Sequence, residues 1–312
     1  MNDKVKIKFS FRTVGMTLIS LAVLSLLLFL PFRVEAFRSS DVSMMKSIIK
    51  EHPQAFPDTD INNPESWEEE GWMTWSEGYV ATLDLRNRNL NDKLDLEGLD
   101  HLGQLYCQNT TLKEIDISDC QRLRILDVAN NELEILNLSG SKELINISCE
   151  NNGLTNLNLR GLTKLESLDC ANNNIIEIDL NESISLQYLD VSGNQLKQLD
   201  VSHSENLKYL YGYHNNLAEI DVTNNTELIE LHCNNNRLEE LDVTSNKKLQ
   251  VLNCEFNQIS TLDLSKCVEL KELWCADNNL TELNIAHLSE LERLFVGSNP
   301  IVPLVAYSEA NF

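Results

Sequence analysis

The chain has 312 residues, with 25 basic against 48 acidic side chains and a net charge of -23. Such a surface repels a phosphate backbone, so nucleic acid is not an expected partner. At 42% apolar residues, with 11 Gly and 6 Pro, neither a disordered nor a collagen-like chain fits the composition.

The N-terminus reads as an address. Lys4, Lys6, Lys8 and Arg12 precede an apolar run from Val14 to Phe32, and Val34-Glu35-Ala36 comes next, a small-x-small end. That order predicts a signal peptide over residues 1–36, cleaved after Ala36. The alternative is an uncleaved membrane anchor over residues 14–32, which is long enough to cross a bilayer. Contact with a membrane is expected only through that segment, and otherwise the chain is expected to be secreted.

Residues 37–78 differ in kind from the rest of the chain. Ser40 to Lys50 predicts a short helix with Val42, Met45, Ile48 and Ile49 on one side. His52 to Trp75 reads as loop, with Pro53, Pro57 and Pro64, and carries Trp67, Trp72 and Trp75. Stacked repeats leave an open core at each end, so these tryptophans are assigned to an N-terminal cap. Carbohydrate stacking on them is the sharper alternative.

From residue 79 to 306 the chain repeats, leaving a tail at 307–312. Leu102, Leu123, Leu144 and their successors to Leu291 recur every 21 residues without a slip, and Leu or Ile stands three residues after each. Asn131 through Asn299 keep the same spacing, and only Thr110 breaks that column. The unit reads L-x-x-L-x-C-x-x-N-x-L-x-x-L-D-L-S, as in LKELWCADNNLTELNIA from Leu270, and a degenerate unit begins near Tyr79. These residues resemble the leucine-rich-repeat family, in particular the internalin group of secreted bacterial proteins. The resemblance implies a curved right-handed solenoid, with short parallel strands on the concave face and short strands or turns on the convex face. The physics agrees, because no unit of this length buries its apolar face alone. The Asn column is expected to satisfy backbone groups in the turn after each strand.

Cys107, Cys149, Cys170, Cys233, Cys254 and Cys275 share one repeat position, where Val128, Val191, Gly212 and Val296 stand elsewhere. Exchange with Val predicts a ladder of buried free thiols rather than disulfides. Cys120 and Cys267 lie too many repeats apart to meet. Asp116, Asp179, Asp200, Asp221, Asp242 and Asp263 form a second column in which Asn also occurs. It is assigned to local backbone capping on the convex side, and no metal or cofactor is expected.

Repeat phase places Asp127, Ser148, Asp169 and Asp190 on the concave sheet, and then Tyr188, Tyr209, Tyr211, Tyr213 and His232 on adjacent strands. His214 falls at the edge, and Trp274 and Phe295 continue the Tyr211 column further on. Such an aromatic patch marks an interaction surface. Gly212 predicts a small void beneath the tyrosines or a bulge in the strand. The resemblance implies a secreted binding protein without catalytic chemistry that recognises a protein ligand through this face. A glycan bound at the tyrosine cluster, with Asp169 and Asp190 as acceptors, is the alternative. No wall-sorting motif comes after the repeats, so wall attachment is not expected from the resemblance. For an enzyme, the nearest constellation is Asp190, Tyr211 and His232, where the intervening Tyr211 is expected to prevent a histidine–carboxylate pair.

Overall fold

A computed structural model describes residues 37–301. The expected leader at 1–36, with its apolar run at 14–32, and the tail at 307–312 lie outside the described residues. No helix among the described residues is long and apolar enough to cross a membrane.

The described chain opens with helix α1, Ser39–Glu51. Met45, Ile48 and Ile49 are buried and Val42 is partly so, in keeping with the apolar spacing. Asp41 is the buried exception. Its carboxylate accepts the backbone N–H of Val80 at 3.0 Å, tying the helix to the first repeat. The stretch read as loop contains a second helix, α2, Pro64–Glu69. Pro64 suits the first helical position, where no N–H is needed, and Trp67 anchors the turn by donating its indole N–H to the Asp60 carbonyl at 2.9 Å. Trp67 and Trp72 are fully buried, so neither offers a face to a sugar, and the stacking alternative fails for both. Arg88 lies over the rings of Phe56 and Trp72, closing the cap from the repeat side.

Strands β1 (Met73–Ser76) and β2 (Tyr79–Asp84) form an antiparallel hairpin, and every later pairing in the main sheet is parallel. The remaining strands of that 12-stranded sheet are β4 (Gln104–Tyr106), β6 (Ile125–Asp127), β7 (Asn146–Ser148), β8 (Ser167–Asp169), β9 (Tyr188–Asp190), β10 (Tyr209–Tyr211), β11 (Glu230–His232), β12 (Val251–Asn253), β13 (Glu272–Trp274) and β14 (Arg293–Phe295). Strands β3 (Lys93–Asp95) and β5 (Glu114–Asp116) pair on the opposite side of the early repeats. Each three-residue strand exists because its central Leu or Ile alternates with outward neighbours and lands in the core. Leu189, Leu210, Leu231, Leu252 and Leu273 are completely buried.

The Asn column does the polar work of the core. Asn173 accepts the N–H of Leu154 at 3.0 Å and donates to the carbonyls of Cys149, Cys170 and Ala171 at 3.0, 3.1 and 3.2 Å. The same pattern recurs one repeat on at Asn194 and onward to Asn299. Thr110 is the start of this ladder rather than a flaw in it. Its hydroxyl lies within donating distance of the near carbonyl, of Cys107, at 2.8 Å and of Asn131 Oδ1 at 3.0 Å. The backbone N–H that an Asn there would accept, that of Asn91, is instead taken by His52 Nδ1 of the cap at 2.9 Å. Burial holds the His52 pKa below its ordinary value, which keeps that nitrogen an acceptor.

All eight cysteines are buried and unbridged. Burial pushes their thiols up, to about 12 for Cys233 and Cys275, so they stay protonated and inert. On the side opposite the main sheet, Asp200, Asp221, Asp242 and Asp263 each accept the N–H two residues on, at 2.8 to 2.9 Å. The hydroxyls of Ser202, Thr223 and Thr244, with these N–H bonds, hold Asp200, Asp221 and Asp242 below their usual range, and for Asp263 the Ser265 N–H leads.

Candidate functional site on the sheet face

Register decides which outward side chains meet. Asp127, Ser148, Asp169, Asp190, Tyr211, His232, Asn253, Trp274 and Phe295 stand directly opposite one another on consecutive strands. Beside them, Ser167, Tyr188, Tyr209 and Glu230 form a parallel column. Tyr213 comes after β10 on the same face.

The aromatic residues gather into two groups. Tyr188, Tyr209, Tyr211 and His232 form the first, all half-buried. Tyr188 lies 5.5 Å from Tyr211 and 6.5 Å from Tyr209 between ring centroids, and Tyr211 stacks on His232 at 4.9 Å. Trp274 and Phe295 form the second, stacked at 3.9 Å with Phe295 exposed. Asn253 separates the groups, so the Tyr211 column is not continuously aromatic. His214 sits in the turn after the strand with left-handed backbone (φ 52) and meets Tyr213 edge-on at 5.6 Å.

Gly212 makes no bulge. Its N–H donates to the His232 carbonyl at 2.8 Å, as its equivalents do, and the flanking pairs keep register. A Cβ there would meet Leu217 and Leu199 side chains at 3.7 and 3.8 Å, ordinary contact distances. The glycine therefore leaves a small void, and all three tyrosines keep to the outward positions.

Glu230 is a site residue that the repeat pattern alone does not single out. Its carboxylate accepts the Tyr211 hydroxyl at 2.8 Å and lies 3.6 Å from His232 Nε2. The expectation that no histidine–carboxylate pair forms is therefore corrected: His232 pairs with Glu230 on its own strand, not with Asp190 across Tyr211. The alternation of the strand carried the signal, since Glu230 and His232 must share a face. Burial lowers the His232 pKa against the opposing pull of Glu230, Asp190 and Glu272. Burial also raises Tyr211, whose hydroxyl is further held protonated by its bond to Glu230.

Asp169 and Asp190 are neighbours with unlike surroundings. Burial, with Asp190, Glu150 and Asp127 nearby, pushes Asp169 up to about 7 although the Ala171 N–H opposes it. Asp190 is also raised by burial, but accepts both the N–H and the hydroxyl of Ser192, at 2.8 and 2.5 Å.

The leucine-rich-repeat family model matches residues 185–211, which hold β9 and β10. No curated protein sequence matches the chain significantly. Among solved structures, the functional domain of internalin J from Listeria monocytogenes, which includes a cysteine ladder, is 32% identical with a TM-score of 0.61. The match covers 71% of this chain and 45% of that one, so this chain spans under half of that relative's length. Internalin F from Listeria monocytogenes is 21% identical with a TM-score of 0.59, over 80% of this chain and 84% of that one. The Arabidopsis receptor kinase HAESA, solved with the peptide hormone IDA and the co-receptor SERK1, is 22% identical with a TM-score of 0.60, over 70% and 42%. With the 21-residue solenoid units and the parallel sheet, these matches show a leucine-rich-repeat protein of internalin-like fold.

Proposed function

We propose that this protein is a secreted, non-catalytic binding protein that recognises a protein ligand through the concave sheet face, with Tyr188, Tyr209, Tyr211, Tyr213 and His232 at the centre of the contact. The observation that carries this reading is the half-buried aromatic cluster on β9 to β11. Nothing in the repeat calls for aromatic side chains there, because the solenoid core is already filled by the inward Leu and Cys columns. Large, nearly rigid rings supply contact area at low entropic cost, which is why they anchor protein interfaces. The His232–Glu230 pair does not argue for catalysis. The hydroxyl it adjoins, that of Tyr211, is held protonated rather than activated. Export rests on the residues of the leader, and N-terminal sequencing of the mature protein should begin at Phe37.

The test is capture of cell-surface proteins and a glycan panel by the wild type and by a variant with Tyr209, Tyr211 and Tyr213 changed to Ala. A protein captured by the wild type and lost by a variant with unchanged circular dichroism supports the reading. Equal capture by both, or retention of glycans alone, overturns it.

A further inference from the structure

The sheet face is chemically lopsided. From β6 to β12 its outward positions include Asp127, Glu150, Asp169, Asp190, Glu230 and Glu255, and no Lys or Arg. The flanks of the sheet neutralise their own acids: Arg86 pairs with Asp84 at 2.5 Å, and Arg293 with Glu272 at 3.0 Å. Arg124 and Lys208 stand just before β6 and β10, outside the strands, and Lys208 donates to Gln187. In the middle, Asp127, Asp169 and Asp190 each spend one oxygen on the N–H two residues on. Their second oxygens take no hydrogen bond among the described residues. His232 is the one basic side chain within strands β6 to β12 themselves, and burial disfavours its charge.

The aromatic group abuts this row. Tyr211 stands directly opposite Asp190 in the parallel register, and Tyr188 shares a strand with Asp190. The two rings, 5.5 Å apart and inclined at 44°, therefore flank a carboxylate that has no cationic partner among the described residues. Ring faces attract cations, and a row of unneutralised carboxylates attracts them more strongly.

We propose that the ligand of this face is a basic protein segment, which places an Arg or Lys side chain over Tyr188 and Tyr211 against Asp190 and Asp169. This rests on the reading of the face as a protein-binding surface and adds the chemistry of the partner. A neutral glycan would leave the acidic row unmatched, and an acidic one would be repelled by it. Arginine suits the site best, since its flat guanidinium stacks on a ring while its edge donates to a carboxylate.

The test uses the full-length protein and fluorescence anisotropy. The probe is a fluorescein-labelled peptide alternating arginine and glycine, and its control carries uncharged citrulline at each arginine. The arginine peptide should bind at least about tenfold more tightly than the citrulline peptide. The variant D169N/D190N should weaken it at least about tenfold, and D221N/D242N on the opposite side less than about twofold. Each variant replaces two carboxyls, and Asn serves these turns naturally, at Asn253 on the sheet face and at Asn137 and Asn158 on the opposite side. Equal binding of the two peptides, or equal weakening by the two variants, overturns the proposal by showing shape recognition or diffuse attraction. If the arginine peptide fails while the tyrosine triple variant still loses a captured protein, the basic partner is refuted and the protein-binding reading stands. If both fail, the reading of the face falls as well.

Discussion

Asn173→Ala removes a complete rung of the polar ladder that joins one repeat to the next. The carboxamide satisfies a backbone donor of the preceding repeat, Leu154 N–H, and the carbonyl of Cys149, both through bonds of 3.0 Å. It also reaches its own turn at Cys170 and Ala171. Asn173 is only 7% exposed, so water does not replace these partners without rearrangement. A buried donor or acceptor left unpaired costs about 1–3 kcal/mol. Asn152 still donates to the Cys149 carbonyl at 3.1 Å, so the group left unpaired is the Leu154 N–H, and the loss should be about 1–3 kcal/mol. Asn173→Thr should cost less, because Thr110 shows that a hydroxyl reaches the near carbonyl while leaving the far N–H unserved. Urea unfolding monitored by circular dichroism reads both variants against the wild type. A loss below about 1 kcal/mol for the alanine variant, or a threonine variant as stable as the wild type, would refute the argument that the interrepeat bonds hold the turn in place.

Four further outcomes are expected. Gly212→Ala should stabilise by about 0.5–1 kcal/mol in the same assay, since its Cβ meets Leu217 and Leu199 at ordinary contact distances and restricts the unfolded chain. Phe256 takes left-handed backbone (φ 53) where Asn130, Asn151 and Asn235 do so in other repeats, so Phe256→Asn should raise the melting temperature. His52 is held below its ordinary pKa, so the native state binds fewer protons than the unfolded chain just below pH 6.5. Wild-type stability should therefore fall as pH drops through that window, more steeply than in His52→Asn, whose side-chain oxygen still accepts the Asn91 N–H. Asp169 behaves in the opposite sense, being raised from 3.8 to about 7. Its cost is absent near pH 4 and complete above about 7, so Asp169→Asn should gain stability over the wild type as pH rises, and equal gains at both ends would count against this.

Much of this molecule is decided by the sequence alone, because each unit repeats the same local problem. The Leu spacing sets strand and core, and the Asn column sets the turn. Exchange of Cys with Val makes the thiols apolar fillers. With the phase known, alternation also places Asp169, Asp190, Tyr188, Tyr211 and His232 on one face. Tertiary structure decided whatever depends on a neighbour of different character. Helix α2 forms where three prolines suggested loop, because Trp67 finds a carbonyl and a buried slot in the cap. His52 completes the Asn ladder from a segment that carries no repeat. Asn225 and Asn246, in the repeat position of Cys120 and Cys267, form a second buried ladder to carbonyls of the preceding repeats. Glu230 joins Tyr211 to His232, and the charge of Asp169 depends on how deeply its neighbours bury it. Periodicity fixes what every repeat shares, whereas pairing, burial and proton affinity depend on the side chains of adjacent repeats and are set only when the units stack.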